Sequence, residues 1–114
     1  MGEVVRVAAL SLALAWSIAS VSGEAKASSF VDGCPDVIVE RFGERAETAC
    51  YVAWRESRWD PNAISPTDDW GLFQVNRPSH GWHATLDPVA NTQYAYELSE
   101  GGTNWCRHWA WVCQ

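Results

Sequence analysis

Residues 44–57 of the chain are ERAETACYVAWRES, and they carry its clearest helical periodicity. Small and apolar side chains recur at offsets of three and four residues, which is the spacing of one helix face. The pattern therefore predicts a helix that packs one side into a core. The stripe on that side consists of Ala46, Ala49, Cys50, Ala53, Trp54 and Ser57.

A shorter helix is predicted immediately before this one, over residues 35–42. Pro35 suits the first position of a helix, and Gly43 interrupts the pattern at the other end. Two helices joined at a glycine are expected to run antiparallel. Cys34 lies nine residues before the break and Cys50 lies seven residues after it, so the two cysteines come level.

The chain contains four cysteines and no Cys-x-x-Cys motif. An even number of cysteines in a short exported chain predicts two disulfide bonds, with four free thiols as the alternative. Three pairings are possible. Because two of the cysteines come level across the helix pair, we prefer Cys34–Cys50, which leaves Cys106–Cys113 to close a small C-terminal loop.

The segment that follows residue 57 is predicted to be mostly loop. Residues 58–69 contain two proline-centred turn motifs. Residues 70–76 (WGLFQVN) are a candidate strand, and residues 77–85 are expected to be a second loop.

A third long helix is predicted to begin at Asp87-Pro88, a capping residue followed by a proline in the first turn, and to run to about Ser99. Its best apolar stripe is Ala90, Tyr94 and Leu98. Residues 104–112 are expected to form a short Trp-rich helix. These elements predict a mainly helical α+β domain with a short strand element, stapled by two disulfides.

The N-terminal region has the features of a secretory signal. Residues 7–21 (VAALSLALAWSIASV) are mostly apolar and uncharged, and Ala25-Lys26-Ala27 supplies a small-x-small cleavage pattern. This apolar run is short for a membrane span. We therefore predict a signal peptide over residues 1–27 and a secreted or wall-associated domain over residues 28–114, with an uncleaved membrane anchor as the alternative.

The net charge of the chain argues against a nucleic-acid partner. Lys plus Arg total 8 against 14 for Asp plus Glu, a net charge of -6, and nucleic-acid binding normally requires a clustered basic surface. We therefore expect no nucleic-acid partner, no stable membrane insertion after signal cleavage, and a monomer. His80 and His83 lack a clear third ligand, so neither a metal site nor a cofactor is predicted.

Glu56 is the leading candidate for chemistry. It lies about 90° from the centre of the helical stripe, at the border of the buried face, and close to the helix C-terminus. Partial burial and the helix dipole both raise the pKa of a carboxyl there, and a protonated carboxyl is what general-acid attack on a glycosidic oxygen requires. The alternative is a solvated glutamate that pairs with Arg55 or Arg58.

The residues after Glu56 extend this hypothesis. The pattern E-S-x-x-D-P-x-A-x-S over residues 56–65, followed by D-W-G-L-F-Q-V-N over residues 69–76, resembles the lysozyme-like superfamily. The first block resembles soluble-lytic-transglycosylase domains of the small actinobacterial type, as does Leu86-Asp87-Pro88-x-x-Asn91. The second block is similar to a string of chicken-type lysozymes.

This resemblance implies a lysozyme-like domain that cleaves the β-1,4 bond between N-acetylmuramic acid and N-acetylglucosamine in peptidoglycan. It implies that Glu56 is the catalytic acid and that Asp69 is the second carboxylate of the hydrolytic enzymes. Retaining glycosidases hold two carboxyls about 5–5.5 Å apart, with lysozyme as the type case. Lytic transglycosylases use one carboxyl and the muramic 6-hydroxyl instead of water. Both outcomes stay open.

The resemblance also implies that Gln74 and Asn76 line the cleft, although they can equally serve only to hold the strand and turn. Exposed indoles can stack on sugar rings, which makes Trp70 and Trp82 the best candidates for such contacts. Tyr96 is preferred to Tyr94 as a cleft residue, because Tyr94 falls in the apolar stripe.

Three functions therefore remain to be compared. The leading one is an exported peptidoglycan muramidase without a cofactor, and the others are a non-catalytic wall-binding module and a structural mini-protein. Two features depart from the family: chicken-type lysozymes have four disulfides, and a net charge of -6 slows encounter with an anionic wall.

Overall fold

The computed structural model describes residues 30–114, so the predicted signal peptide lies outside the described residues. Within this part, helices predominate over one small antiparallel sheet. The helices are α1 (Asp36–Phe42), α2 (Ala46–Ser57), α3 (Arg77–His80) and α4 (Pro88–Leu98), and the strands are β1 (Asp69–Trp70) and β2 (Val75–Asn76). The predicted mainly helical α+β class is confirmed.

The first two helices pack against each other and are tied by a disulfide. A single 3-10 turn, Gly43–Arg45, leads from α1 into α2. The predicted pair Cys34–Cys50 is bonded, with Cα atoms 5.9 Å apart. The buried face of α2 matches the predicted stripe except that Trp54 is half-buried and Val52 is buried.

Residues 70–76 form a hairpin, and the prediction of a single strand is wrong. β1 ends at Trp70 and β2 begins at Val75, with a four-residue turn between them. The chain reverses because Gly71 (φ +81°) and Gln74 (φ +52°) both adopt left-handed backbone conformations. Glycine adopts this conformation freely, but glutamine does so rarely. The hydrophobic pattern of residues 70–76 therefore does not predict the turn.

The loop predicted over residues 77–85 instead contains α3 and the 3-10 turn Gly81–His83. Asn76 caps α3, because its side-chain oxygen accepts a hydrogen bond from the backbone N–H of Ser79 (3.1 Å). A proline in the first turn of α3 suits this start. Asn76 and the following proline are therefore a helix start, although the composition of residues 77–85 is typical of a loop.

The predicted start of α4 is confirmed, since Asp87 caps the helix and Pro88 occupies its first turn. The predicted stripe is wrong: Ala90 is exposed, and Tyr94 and Leu98 are only half-buried. The face that enters the core instead carries Asn91, Thr92 and Ala95. This polar face can be buried because the Asn91 side chain satisfies backbone groups of the hairpin.

The C-terminal segment is built from turns and ends in the 3-10 helix Ala110–Cys113, so the helix predicted over residues 104–112 is wrong. Trp105 and Trp109 are buried against Phe73. The predicted Cys106–Cys113 disulfide is confirmed. None of the helices in residues 30–114 is both long enough and apolar enough to span a membrane.

Candidate active site

Glu56 lies in the last turn of α2, at the point where the helix is fastened to the hairpin. The buried hydroxyl of Ser57 lies 2.9 Å from the backbone carbonyl oxygen of Leu72 and 3.1 Å from that of Ala53, and it can donate to either. The helix ends there because Arg58 adopts a left-handed conformation, with φ 56°. The Glu-Ser pair therefore holds a carboxyl beside the hairpin turn.

A cleft of about 200 Å³ opens between this helix end, the hairpin and the C-terminal segment. It brings Glu56 and Asp69 together, although 12 residues separate them in the sequence. The cleft is also lined by Gln74, Val75, Asn76, His80, Leu98, His108 and Trp109.

The environment of Glu56 favours its protonated form. Burial raises the pKa of Glu56, and the negative charge of Asp69 raises it further. Two contacts oppose this effect: the Trp111 indole N–H donates a hydrogen bond to the Glu56 carboxyl (2.6 Å), and Arg55 adds a positive charge. The net pKa of Glu56 lies above its ordinary value, as its position on the helix predicted.

The environment of Asp69 favours its ionised form. Burial raises the pKa of Asp69, but three side-chain donors outweigh burial and bring the pKa below its ordinary value. The hydroxyls of Ser65 (2.7 Å) and Thr67 (2.6 Å) donate to one carboxylate oxygen, and the Asn76 amide (2.8 Å) donates to the other. The pKa values of the two cleft carboxyls are therefore shifted in opposite directions.

The two amides predicted to line the cleft are both at its wall, but they are engaged differently. Asn76 uses its NH₂ group on Asp69 and on the Thr67 carbonyl (3.2 Å), and its oxygen caps α3. Gln74 donates to the carbonyls of Ala63 (3.1 Å) and Gly71 (3.0 Å). Its side-chain oxygen accepts no hydrogen bond from residues 30–114, so it can accept one from a sugar.

A buried amide on α4 fixes the hairpin turn that carries Gln74. Asn91 accepts from the Phe73 backbone N–H (2.9 Å) and donates to the carbonyls of Trp70 (2.8 Å) and Thr85 (2.9 Å). A side chain at Gly71 would collide with the Asn91 amide and would come within 2.8 Å of the Thr85 oxygen. The turn therefore requires glycine for both its φ angle and its close approach to α4.

The predicted aromatic contacts lie outside this cleft. Trp70 donates its indole N–H to Asp68 (2.6 Å) and lies beneath Arg77. Tyr96 packs edge-on against Phe42 in the core, at a centroid distance of 5.3 Å. Trp82 is 78% exposed and lines a separate groove. The structure thus brings Glu56, Asp69, Gln74 and Asn76 together and places the three aromatic candidates elsewhere.

The sequence did not predict the aromatic side chains at the cleft wall or the indole that contacts Glu56. Trp111 reaches Glu56 across a separation of 55 residues, and no local pattern indicates such a contact. His80 and His108 face each other at the cleft with a centroid distance of 5.6 Å, and Trp109 completes the wall. Burial, together with the charges of His108 and His83, lowers the pKa of His80, which favours a neutral imidazole.

In residues 30–114, no three His, Cys, Asp or Glu side chains come close enough together to hold a metal ion. The polar groups of the cleft are instead arranged around two carboxyls, one with a raised pKa and one with a lowered pKa. This arrangement suits proton transfer to an oxygen next to a centre that develops positive charge.

A family model described as a lysozyme-like domain matches residues 39–111, well over half of the chain. No curated protein and no solved structure matches the chain. The matched region contains every residue that lines the cleft, and also Trp111, which donates to Glu56.

Proposed function

Because the chain belongs to the lysozyme-like domain family, we propose that it cleaves the β-1,4 bond between N-acetylmuramic acid and N-acetylglucosamine in peptidoglycan. The observation that carries this proposal is the opposed pKa shifts of Glu56 and Asp69 within one cleft. Two carboxyls whose environments separate their pKa values are the arrangement that assigns an acid and a charge stabiliser in glycoside cleavage.

In the proposed reaction, Glu56 protonates the glycosidic oxygen as the bond to the anomeric carbon breaks. The leaving sugar departs with that proton, and the anomeric carbon develops oxocarbenium character. Asp69 stays ionised and stabilises this positive charge from the hairpin side. Glu56 is then a carboxylate and can accept a proton from the incoming hydroxyl, whether that hydroxyl belongs to water or to the muramic acid itself.

The hydrogen bonds of Asp69 favour an electrostatic role over a nucleophilic one. Both of its oxygens accept hydrogen bonds, and three donors hold the side chain in place. A carboxylate bound in this way is a weak nucleophile, because a covalent bond would require it to give up those hydrogen bonds. We therefore favour a reaction without a covalent intermediate on Asp69, as in lytic transglycosylation, with Glu56 as both acid and base.

The remaining cleft residues are proposed to bind the glycan. The free oxygen of Gln74 can accept from an N-acetyl N–H or a sugar hydroxyl. Asn76 is proposed to act through Asp69, since its amide is already engaged there. Signal-directed export through residues 1–27 fits a chain with two disulfides, because such bonds persist in oxidising compartments.

Mass spectrometry of purified peptidoglycan digested with the mature protein tests this proposal. Release of fragments with anhydro-muramic ends indicates transglycosylation, and release of fragments with reducing ends indicates hydrolysis. Glu56→Gln is expected to release neither, whereas Glu47→Gln, at an exposed position in the first turn of the same helix, is the matched control. If the wild-type protein binds the wall and releases nothing, the chain is the non-catalytic binding module.

A further inference from the structure

A second groove, of about 340 Å³, lies between the Gly81–His83 turn and α4. One of its walls is Trp82, whose indole is 78% exposed. An aromatic side chain this exposed beside a cavity is available to stack on a ligand. Neither the family match nor the proposed cleavage reaction assigns this groove a role.

The aromatic rings of the groove form a continuous stack. Trp82 and His83 have ring centroids 3.7 Å apart, and His83 lies parallel to Tyr94 at 4.3 Å, with an angle of 3° between the planes. The Tyr94 hydroxyl is 2.9 Å from His80 Nδ1, and His80 also lines the cleft. The stack therefore connects the groove directly to the cleft of Glu56.

The charge of the groove has one sign. Asp87 and Glu97 both line it, and its lining contains no lysine or arginine. Each carboxylate accepts one hydrogen bond within the described residues and can accept more. Asp87 accepts from the Ala90 backbone N–H (3.4 Å), and Glu97 accepts from Gln93 (3.0 Å). Carboxylates beside exposed aromatic faces are the groups that bind ammonium ions, through charge pairing and cation–π contact.

We propose that this groove binds a primary ammonium group carried on an apolar frame, with the ammonium on Glu97 and the frame against Trp82. Peptidoglycan offers two such sources: glucosamine units that lack their acetyl group, and the side-chain amine of a diamino acid in the stem peptide. The choice of wall material as the source rests on the proposed function. It also gives the net charge of -6 a role, because an acidic groove attracts the cationic groups of an otherwise anionic wall.

Binding is measured with the Glu56→Gln protein, so that no probe is cleaved. The probes are a glucosamine tetrasaccharide and its fully N-acetylated form, and a stem pentapeptide with a free lysine amine and its Nε-acetylated form. Calorimetry in mildly acidic buffer of low ionic strength gives the affinities, and the indole N–H resonance of Trp82 reports the location. We expect at least one free-amine probe to bind about fivefold to tenfold more tightly than its acetylated form.

The Glu97→Gln substitution is expected to remove that preference, and Trp82→Ala is expected to weaken binding of the free-amine probe. Glu47→Gln makes the same change of charge on α2, outside the groove lining. It should leave both the preference for the free amine and the affinity for the free-amine probe unchanged. Selective binding of either free-amine probe supports the proposal and identifies its source. Equal binding of free and acetylated forms, no binding of any probe, or equal effects of Glu97→Gln and Glu47→Gln would overturn it. The wall digestion assay stands apart from this result, so failure of cleavage and failure of the groove are distinguishable.

Discussion

The two walls of the cleft hold their carboxyls by opposite means. On the helix wall, formed by the end of α2, Glu56 is half-buried and accepts one hydrogen bond from the indole N–H of Trp111. On the hairpin wall, Asp69 is held by three side-chain donors within its own loop and strand pair. Burial decides the pKa of the first carboxyl, and hydrogen bonding decides that of the second.

This difference shows how a small domain can shift the pKa values of two carboxyls in opposite directions. The helix wall supplies desolvation, because the core of α2 and the C-terminal indoles surround the last helical turn. The hairpin wall supplies donors, because turn residues such as Ser65 and Thr67 carry hydroxyls close to the backbone. Each wall can therefore be altered without removing the other, which makes the comparison testable.

The largest effect is expected from Glu56→Gln, which removes the acid of the helix wall. Gln can still accept the hydrogen bond of Trp111 but cannot transfer a proton, so the rate of muropeptide release should fall by about 10²–10⁴-fold. In the wild type, the rate should decline on the alkaline side as Glu56 ionises above its raised pKa. A rate within tenfold of that of Glu47→Gln would contradict the assignment.

The same substitution has a consequence for stability. The folded-state pKa of Glu56 is raised above its ordinary value of 4.5, so its stabilising contribution is complete below that pH and is lost as the pH rises through the raised pKa. Gln does not titrate. The difference in Tm between wild type and Glu56→Gln should therefore shift in favour of the variant as the pH increases, measured by thermal unfolding at each pH.

The next largest effect is expected from Asp69→Asn on the hairpin wall. Loss of its negative charge removes stabilisation of the developing cation, and the rate should fall by about 10²-fold. Since the charge of Asp69 raises the pKa of Glu56, the alkaline limb of the pH–rate profile should move to lower pH. Asp68→Asn, at the neighbouring exposed residue, is the control. An alkaline limb that stays in place in Asp69→Asn would contradict the proposed coupling between the charge of Asp69 and Glu56.

A smaller effect, about fivefold to tenfold in rate, is expected from Trp111→Phe. The hydrogen bond of Trp111 lowers the pKa of Glu56, so its loss should move the alkaline limb to higher pH, opposite to the shift from Asp69→Asn. Trp54→Phe, on the same helix α2 but packed against Arg58 and not lining the cleft, is the matched control. A lower rate with an unshifted pH profile would show that Trp111 matters only for packing.

The features that could be predicted from the sequence are those determined by residues close together in the chain. The helix pair around Gly43 predicted the Cys34–Cys50 bond, and the position of Glu56 near a helix end predicted the direction of its pKa shift. Each of these follows from residues close together along one or two helices. The Asp87 cap of α4 was predictable for the same reason.

The errors share a non-local cause. The apolar stripe of α4 failed because Asn91, a polar residue, is buried by bonds to backbone groups 18 and 21 residues away. In the C-terminal segment, Trp105 and Trp109 pack on Phe73, more than 30 residues away in the sequence, and the segment forms turns and a 3-10 helix where a regular helix was predicted. Trp111 was missed for the same reason, since hydrophobic pattern carries no information about which distant group an indole N–H meets.

The smallest effect is expected from Thr67→Val, which removes one donor from the hairpin wall and keeps the size of the side chain. The pKa of Asp69 should rise toward its ordinary value of 3.8, so the acidic limb of the pH–rate profile should move to higher pH. At neutral pH Asp69 remains ionised, and the rate should change by about twofold or less. Thr103→Val, whose hydroxyl bonds only within its own turn, is the control. If the rate at neutral pH falls as far as in Asp69→Asn while the acidic limb stays in place, the hairpin wall acts by orienting Asp69 rather than by keeping it charged.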